Sequence, residues 1–289
     1  MIRFGTIGAG VALAAMACSA HAANPPAWTA PTAPYKIGEN LYFVGSAGLS
    51  SFLITTPKGH ILIDSGLPGA AKGIEKSITT LGFKPADVKI LLNTHAHFDH
   101  TGGFAELKAD TGAKLIASAA DRRALETGKY IGSEEVADYD FPPVKVDKPV
   151  KDGGTVSLGG TTLTAHLTPG HTAGCTTWTF SVAIDGAVHQ AVVFCSISVA
   201  ANRLVSKTRG PQYPGIVEDY RRGFAKLKSL KADVFLAPHT AQFGAEAKVA
   251  RMGVGGPSPF IDPNELGVVT ARYEKLFDEA LAAQTAAAR

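Results

Sequence analysis

The chain reads as an α/β protein, an αβ/βα four-layer sandwich folded as a single domain. Two observations predict that architecture. Short apolar strand-like runs give way to helical periodicity, and the same strands-then-helices order recurs in the second half. Such an order covers the outer face of each sheet with helices and leaves two sheets to pack on one another. No linker-like, low-complexity stretch divides the halves, and 289 residues at 45% hydrophobic content suffice for one large core.

The first 22 residues are a different kind of object. Arg3 is followed by the apolar, small-residue run FGTIGAGVALAAMA and then by SAHA, in which Ala20 and Ala22 form an A-x-A cleavage site. Residues 1–22 are therefore expected to be a secretory signal peptide, leaving a domain over 23–289. As a membrane anchor the run falls short of the roughly 18 to 20 apolar residues that a span needs. Lipidation at Cys18 is disfavoured because the preceding AMA lacks the Leu usual at such sites. No later segment reaches spanning length, so the mature chain is expected to be free of the membrane; the signal peptide makes it periplasmic, and a monomer is expected. Nucleic acid is not an expected partner: the net charge is only +3, aromatic content is 8%, and there is no basic stripe.

After a Pro-rich start, NLYFVGS, SSFLITT and HILIDSG read as antiparallel strands, with PKG turning between the last two. From Gly69 the spacing becomes helical, with Ile74, Ile78 and Leu81 on one face, and VKILLNT then reads as a buried strand. GFAELKADTG reads as a helix ending at Gly112, KLIAS as a strand, and AADRRALETG as a helix. The second half opens on the hairpin TVSLGGTTLTAHL, turning at Gly159-Gly160, and continues with TTWTFSVAI and HQAVVFCS joined through Asp185-Gly186. Helix IVEDYRRGFAKLKSL, strand DVFLAPH and a final helix from about Pro263 complete it. The polar, Pro-bearing stretch 133–149 reads as a mobile loop over a site.

THAHFDHTGG, residues 94–103, carries three of the nine histidines. His95 and His97 are two apart, so an extended segment points both imidazoles to one side, whereas a helix would splay them by about 200°. Asp99 and His100 follow on the turn, and Gly102-Gly103 lets the backbone fold back sharply into the next helix. His171 in TPGHTAG and His239 in LAPHT each follow an apolar strand, so all three clusters can converge on one edge of the sandwich. The partition that results is His95, His97 and His171 on one zinc, with Asp99, His100 and His239 on a second. Nitrogen and carboxylate donors without thiolate, three to a metal with a position left open, mark catalytic rather than structural Zn2+, two per chain.

A lone histidine beyond a strand is usually a solvated loop residue, and His60, His166 and His189 are read so. The clustered imidazoles resist that reading, because buried together without a metal they would leave costly unpaired polar groups. Asp64, in ILIDSG, is expected to orient a metal ligand without binding metal itself. With Cys18 gone, Cys175 and Cys195 are left in an oxidising compartment, and either a disulfide or two buried thiols satisfies the sequence.

HAHFDH resembles the metallo-β-lactamase superfamily, and its terminal His is similar to subclass B3 in particular. TPGHTAGCTTWTF, VVFCSISVAANRL and FLAPHTAQFG resemble B3 segments in the same order, so the resemblance covers nearly all of the mature chain. It implies a Cys175–Cys195 disulfide. It also implies a β-lactam antibiotic as the small-molecule substrate, with Ser196 and Ser198 holding its carboxylate. In the implied mechanism, hydroxide held between the zincs and oriented by Asp99 attacks the lactam carbonyl.

Relatives that hydrolyse lactones or the glyoxalase II thioester share HxHxDH but carry a metal-bridging Asp at the end of the strand between the third and last histidine clusters. Here that strand is AVVFCSIS, with Cys195 and Ser196 at the expected place. Asp185, Asp219 and Asp233 belong to a hairpin turn, a helix and a strand start, which favours the B3 reading. No serine has Lys three residues on, so the serine-based S-x-x-K chemistry is absent. Two alternatives stand beside β-lactam opening: a zinc hydrolase of the same fold acting on a lactone or thioester, and a secreted zinc-binding protein without catalysis.

Overall fold

A computed structural model describes residues 24–289; the expected signal peptide lies outside the described residues. Seven strands form the first sheet in sequential order: β1 Tyr35–Gly38, β2 Leu41–Phe43, β3 Phe52–Thr56, β4 Gly59–Ile63, β5 Val88–Leu92, β6 Lys114–Ser118 and β7 Lys148–Val150. Its first four strands pair antiparallel and the last four pair parallel. The parallel connections run through α1 Ala71–Thr80, then α2 Phe98–Thr101 with α3 Phe104–Thr111, then α4 Arg122–Thr127. The second sheet is built from β8 Thr155–Leu158, β9 Thr161–Leu167, β10 Thr176–Ile184, β11 Ala187–Val193 and β12 Val234–Leu236, in the order β12-β11-β10-β9-β8. Helix α5 Ile216–Ser229 makes the parallel crossover from β11 to β12, followed by α6 Ala245–Ala250 and α7 Glu265–Ala287.

Alternation along the strands builds the four layers. In β3 and β4, Phe52, Ile54, Ile61 and Ile63 face the second sheet and meet Leu163, Trp178, Phe180 and Val182 in one buried cluster. Leu53 and Leu62, one residue out of phase, face Ile74 and Ile78 of α1 and Phe104 and Leu107 of α3 in another. A period of two places successive side chains on opposite faces, so a sheet covered on both sides must be apolar at consecutive positions. On the far side, Tyr220, Phe224 and Phe277 of α5 and α7 close the second sheet.

Several local readings change. β1 emerges from the Pro-rich start and β7 from the far end of the 133–149 stretch, where Pro149 is tolerated because β7 is the edge strand. His60, His166 and His189 lie in β4, β9 and β11, not in loops. His60 shares the helix-side face with Leu62 and packs edge-on against Phe83. Gly102 and Gly103 have ordinary right-handed helical backbone angles. Glycine is needed there for approach, since a Cβ on Gly102 would sit 2.1 Å from the Pro68 nitrogen and one on Gly103 2.6 Å from the Ser65 carbonyl oxygen.

Candidate metal centre

The carboxyl ends of β4, β5, β9, β11 and β12 run on into Asp64, His95, His171, Ser196 and His239. The expected partition is what the geometry brings together: one ligand atom from each of His95, His97 and His171 lies within 4.8 Å of the others, and the same holds for Asp99, His100 and His239. Phe98 begins α2 directly after His97, whose backbone is extended, so the motif changes from strand-like to helical spacing between the first set and the second.

Proton positions in the first set follow from its partners. Asp64 is buried and sits in the left-handed region at φ 60, with its carboxylate accepting from Thr94 N at 2.8 Å and Thr94 Oγ1 at 2.6 Å. The single hydroxyl proton of Thr94 is thereby used, so His95 Nδ1, 3.1 Å from Thr94 Oγ1, is the donor to it. That leaves the lone pair of His95 on Nε2, which is buried without a protein partner. His171 Nδ1 donates to the Ser198 carbonyl at 2.7 Å, leaving its Nε2 likewise free. Burial and mutual repulsion hold His95 and His97 well below the usual imidazole range, and burial pushes His171 down to about 4. Neutral imidazoles with fixed lone pairs are what a metal requires.

In the second set, His100 Nε2 and His239 Nε2 are 3.2 Å apart, and Asp99 Oδ2 is 3.2 Å from the first and 3.5 Å from the second. Two imidazole nitrogens that close, under a shared carboxylate, call for a proton or a cation between them. Burial pulls the Asp99 carboxyl upward, but the charge and hydrogen bond of His100, then His239 and His97, outweigh it and hold Asp99 well below the usual carboxylate range. Burial and the charge of His100 push His239 down to about 3. Both donor sets fit zinc: all six side chains are imidazole or carboxylate, and an orphaned buried nitrogen points into the first.

Around these side chains runs a row of rings: Trp28 lies 5.3 Å from His239, Phe98 6.4 Å from Trp28, and Tyr139 5.6 Å from Phe98. Tyr130, 5.2 Å from Tyr139, stacks on His97 at 4.4 Å. Tyr139 thus brings the start of the 133–149 stretch against the motif. Ser133 in that stretch is tied down by Arg203 Nη1 at 3.2 Å and Gln212 Nε2 at 2.9 Å. A cleft of about 450 Å³ between the Trp28–Pro34 segment and α1 lies beyond Trp28 and is lined by none of the six clustered side chains.

Cys175 and Cys195 form a disulfide with Cα atoms 5.8 Å apart, joining the chain just past His171 to the end of β11. Ser196 is buried, Ser198 is more open, and their hydroxyl oxygens are 3.2 Å apart; Gln242 Nε2 approaches Ser196 Oγ at 3.4 Å. Sequence reasoning missed Asn202, whose side chain donates to the His171 carbonyl at 2.9 Å and accepts from Tyr130 OH at 2.7 Å. It also missed Trp28, Tyr130 and Asp121. A polar residue in a loop carries no periodic signal, and these act through partners distant in sequence.

A model of the metallo-β-lactamase superfamily matches residues 47–182. Among solved structures, the chain is similar to BJP-1, a subclass B3 metallo-β-lactamase of Bradyrhizobium japonicum, at 49% identity and a TM-score of 0.88, covering 91% of this chain and 99% of that one. It is similar to the FEZ-1 metallo-β-lactamase of Legionella gormanii at 40% identity and a TM-score of 0.83, covering 89% and 98%. The hydroxyacylglutathione hydrolase of Methylococcus capsulatus is 28% identical over 184 residues, covering 63% of this chain and 59% of that protein. The chain spans between about a quarter and three fifths of the length of such curated relatives.

Proposed function

The chain belongs to the metallo-β-lactamase superfamily, in its subclass B3, and on that premise we propose that it is a zinc-dependent hydrolase opening the β-lactam ring of penicillins, cephalosporins and carbapenems. The observation that carries the substrate class is the end of β11. Ser196 stands there, and among the described residues Asp99 is the one carboxylate in either donor set, so no second carboxylate bridges them. That favours a β-lactam over the lactones and thioesters opened by other hydrolases of the fold.

In this reading His95, His97 and His171 would hold one zinc, and Asp99, His100 and His239 a second. Bound zinc supplies a Lewis acid for the carbonyl oxygen and lowers the pKa of water to about 7. Asp99, ionised by its histidine neighbours, accepts a hydrogen bond from the attacking water and aims it at the lactam carbonyl carbon. Water adds to that carbon, the C–N bond breaks, and the departing nitrogen takes up a proton. Ser198 and Ser196 donate to the substrate carboxylate, directly or through water. Asp64, through Thr94, fixes the tautomer of His95. The row of rings from Trp28 to Tyr130 offers an apolar rim to the substrate's side chain.

Residues 1–22 are removed on export and the domain 23–289 works in the periplasm as a monomer; the exported protein should begin at Ala23 by mass spectrometry, and an intact Met1 or a lipidated Cys18 would contradict this. The test of function is hydrolysis of a chromogenic cephalosporin with and without chelator, beside a lactone and a glutathione thioester. Chelator-sensitive opening of the cephalosporin alone is expected. Cleavage of the lactone or thioester with no β-lactam opened would overturn the substrate, and zinc binding without any hydrolysis would leave a non-catalytic metal protein.

A further inference from the structure

We infer that Asp121 is the positioning residue of the first histidine cluster: its buried carboxylate ties the His95–His97 segment to the His171 turn and thereby sets three ligands it does not touch. The inference rests on the proposed metal-binding role of His95, His97 and His171.

Asp121 stands at the N-terminal cap of α4, where an aspartate ordinarily accepts from the first turn of its own helix. Here it makes no such bond. Its side chain turns inward instead, 3% exposed, and crosses to two other segments. Oδ2 accepts from Ala96 N and from Thr172 Oγ1, both at 3.0 Å, and Oδ1 accepts from Gly174 N at 2.9 Å. Ala96 is the single residue between His95 and His97, so fixing its amide fixes the plane from which both imidazoles project. Thr172 follows His171 directly, and Gly174 closes the same turn before Cys175. The approach is tight: a Cβ on Gly174 would lie 2.5 Å from Asp121 Cγ, so the turn can close on the carboxylate only with glycine there.

No salt bridge to Lys or Arg accompanies this carboxylate among the described residues; its partners are two amides and a hydroxyl. A buried carboxylate without a counter-ion is a poor way to gain stability alone, since desolvation offsets much of what its hydrogen bonds return. What it does supply is geometry. One rigid acceptor group with two oxygens sets the spacing of two loops that leave different sheets. The Asp99, His100 and His239 set receives no bond from Asp121, so the effect is expected to be confined to one of the two sites.

The test is stepwise zinc binding by the full mature chain, measured in competition with a chromophoric chelator. Cobalt(II) absorption tells the all-imidazole donor set from the carboxylate-containing one. In Asp121→Asn, whichever way the amide turns, an NH2 group faces a backbone N–H that has lost its acceptor. First-site affinity is expected to fall by about 10- to 100-fold, the range for partners that orient a ligand from outside, with the second site within about threefold of wild type. Thr172→Val deletes one of the three donors and leaves the carboxylate, and should weaken the first site several-fold; it decides the matter if Asp121→Asn does not fold. Ile78→Ala, a core truncation under α1, should leave both affinities unchanged and so separates positioning from general loosening. Wild-type first-site affinity in a folded Asp121→Asn, or in Thr172→Val where that variant must decide, would overturn the inference. Equal weakening of both sites would do the same. Wild-type protein that takes no metal at the His95, His97, His171 set would instead remove the reading on which the inference rests.

Discussion

Replacing Asp64 with Asn should reverse the proton on His95. The substitution is clean in the backbone, because Asn tolerates the left-handed conformation that residue 64 adopts at φ 60, where most side chains are strained. Its effect lies in the relay. At neutral pH the Asp64 carboxyl, raised by burial to about 6 although His100 draws it down, is ionised and accepts both hydrogen bonds from Thr94. An amide keeps one oxygen, which serves the backbone N–H, and turns its NH2 towards Thr94 Oγ1. The hydroxyl must then accept from that NH2 group and donate its own proton to His95 Nδ1, 3.1 Å away. That forces the ring proton onto Nε2, the nitrogen that lies buried without a partner and would bind metal. The loss of a charge-assisted hydrogen bond costs roughly 1.5–3 kcal/mol, and the displaced tautomer adds to it, so first-site zinc affinity should fall by about 10- to 100-fold. Zinc competition measures the affinity, and nitrogen-correlated NMR of the zinc-free protein reads which ring nitrogen of His95 carries hydrogen. Thr94→Val should weaken the same site, and Asp64→Asn should add little in that background. A folded Asp64→Asn with wild-type affinity and the proton still on Nδ1 would refute the reasoning.

Asp99→Asn should lower β-lactam turnover by at least about 10²-fold and weaken zinc at the second set; near wild-type turnover with both zincs bound would remove Asp99 from the mechanism. Natively exported protein, denatured, should offer no alkylatable thiol, and removing the Cys175–Cys195 bridge, whose ends are 20 residues apart, should lower stability by on the order of 3 kcal/mol. For zinc-free protein, stability should fall as pH drops from about 6.5 towards 4. His171 and His239, held at about 4 and about 3, stay neutral in the folded chain while their unfolded counterparts take up protons. Asp64 and Asp121, raised by burial to about 6, act in the opposite sense by taking up protons in the folded state first, and shallow the loss. Chemical denaturation across that range reads the slope, and stability that rose on acidification would contradict the assignment.

The grouping of the six clustered side chains was legible because its signals are local. His95 and His97 are spaced for one side of an extended chain, and His171 and His239 follow recognisable apolar strands. Asp64 was legible as a strand-end carboxylate, though its φ was not. Asp121 was hidden in what reads as an ordinary helix start, since its partners Ala96 and Gly174 become neighbours only after two sheets pack. β1 and β7 were obscured by prolines that edge strands accept and interior strands refuse. His60 looked like a turn residue beside PKG, but pairing of β3 with β4 extends the hairpin through it and buries the ring. The missed features share one cause: each depends on pairing across elements, which periodicity within an element does not record.

Neither donor set exists within any contiguous stretch of the chain. His95 and His97 leave one sheet and His171 the other, while Asp99 and His100 are incomplete until the segment after β12 has docked. Loop closure over such separations is unfavourable until the sheets are packed, so tight metal affinity is acquired late, as a property of the finished domain. A chain threaded unfolded through a membrane would carry no assembled centre with it, and the metal available to it would be that of the compartment in which the last strand finds its place.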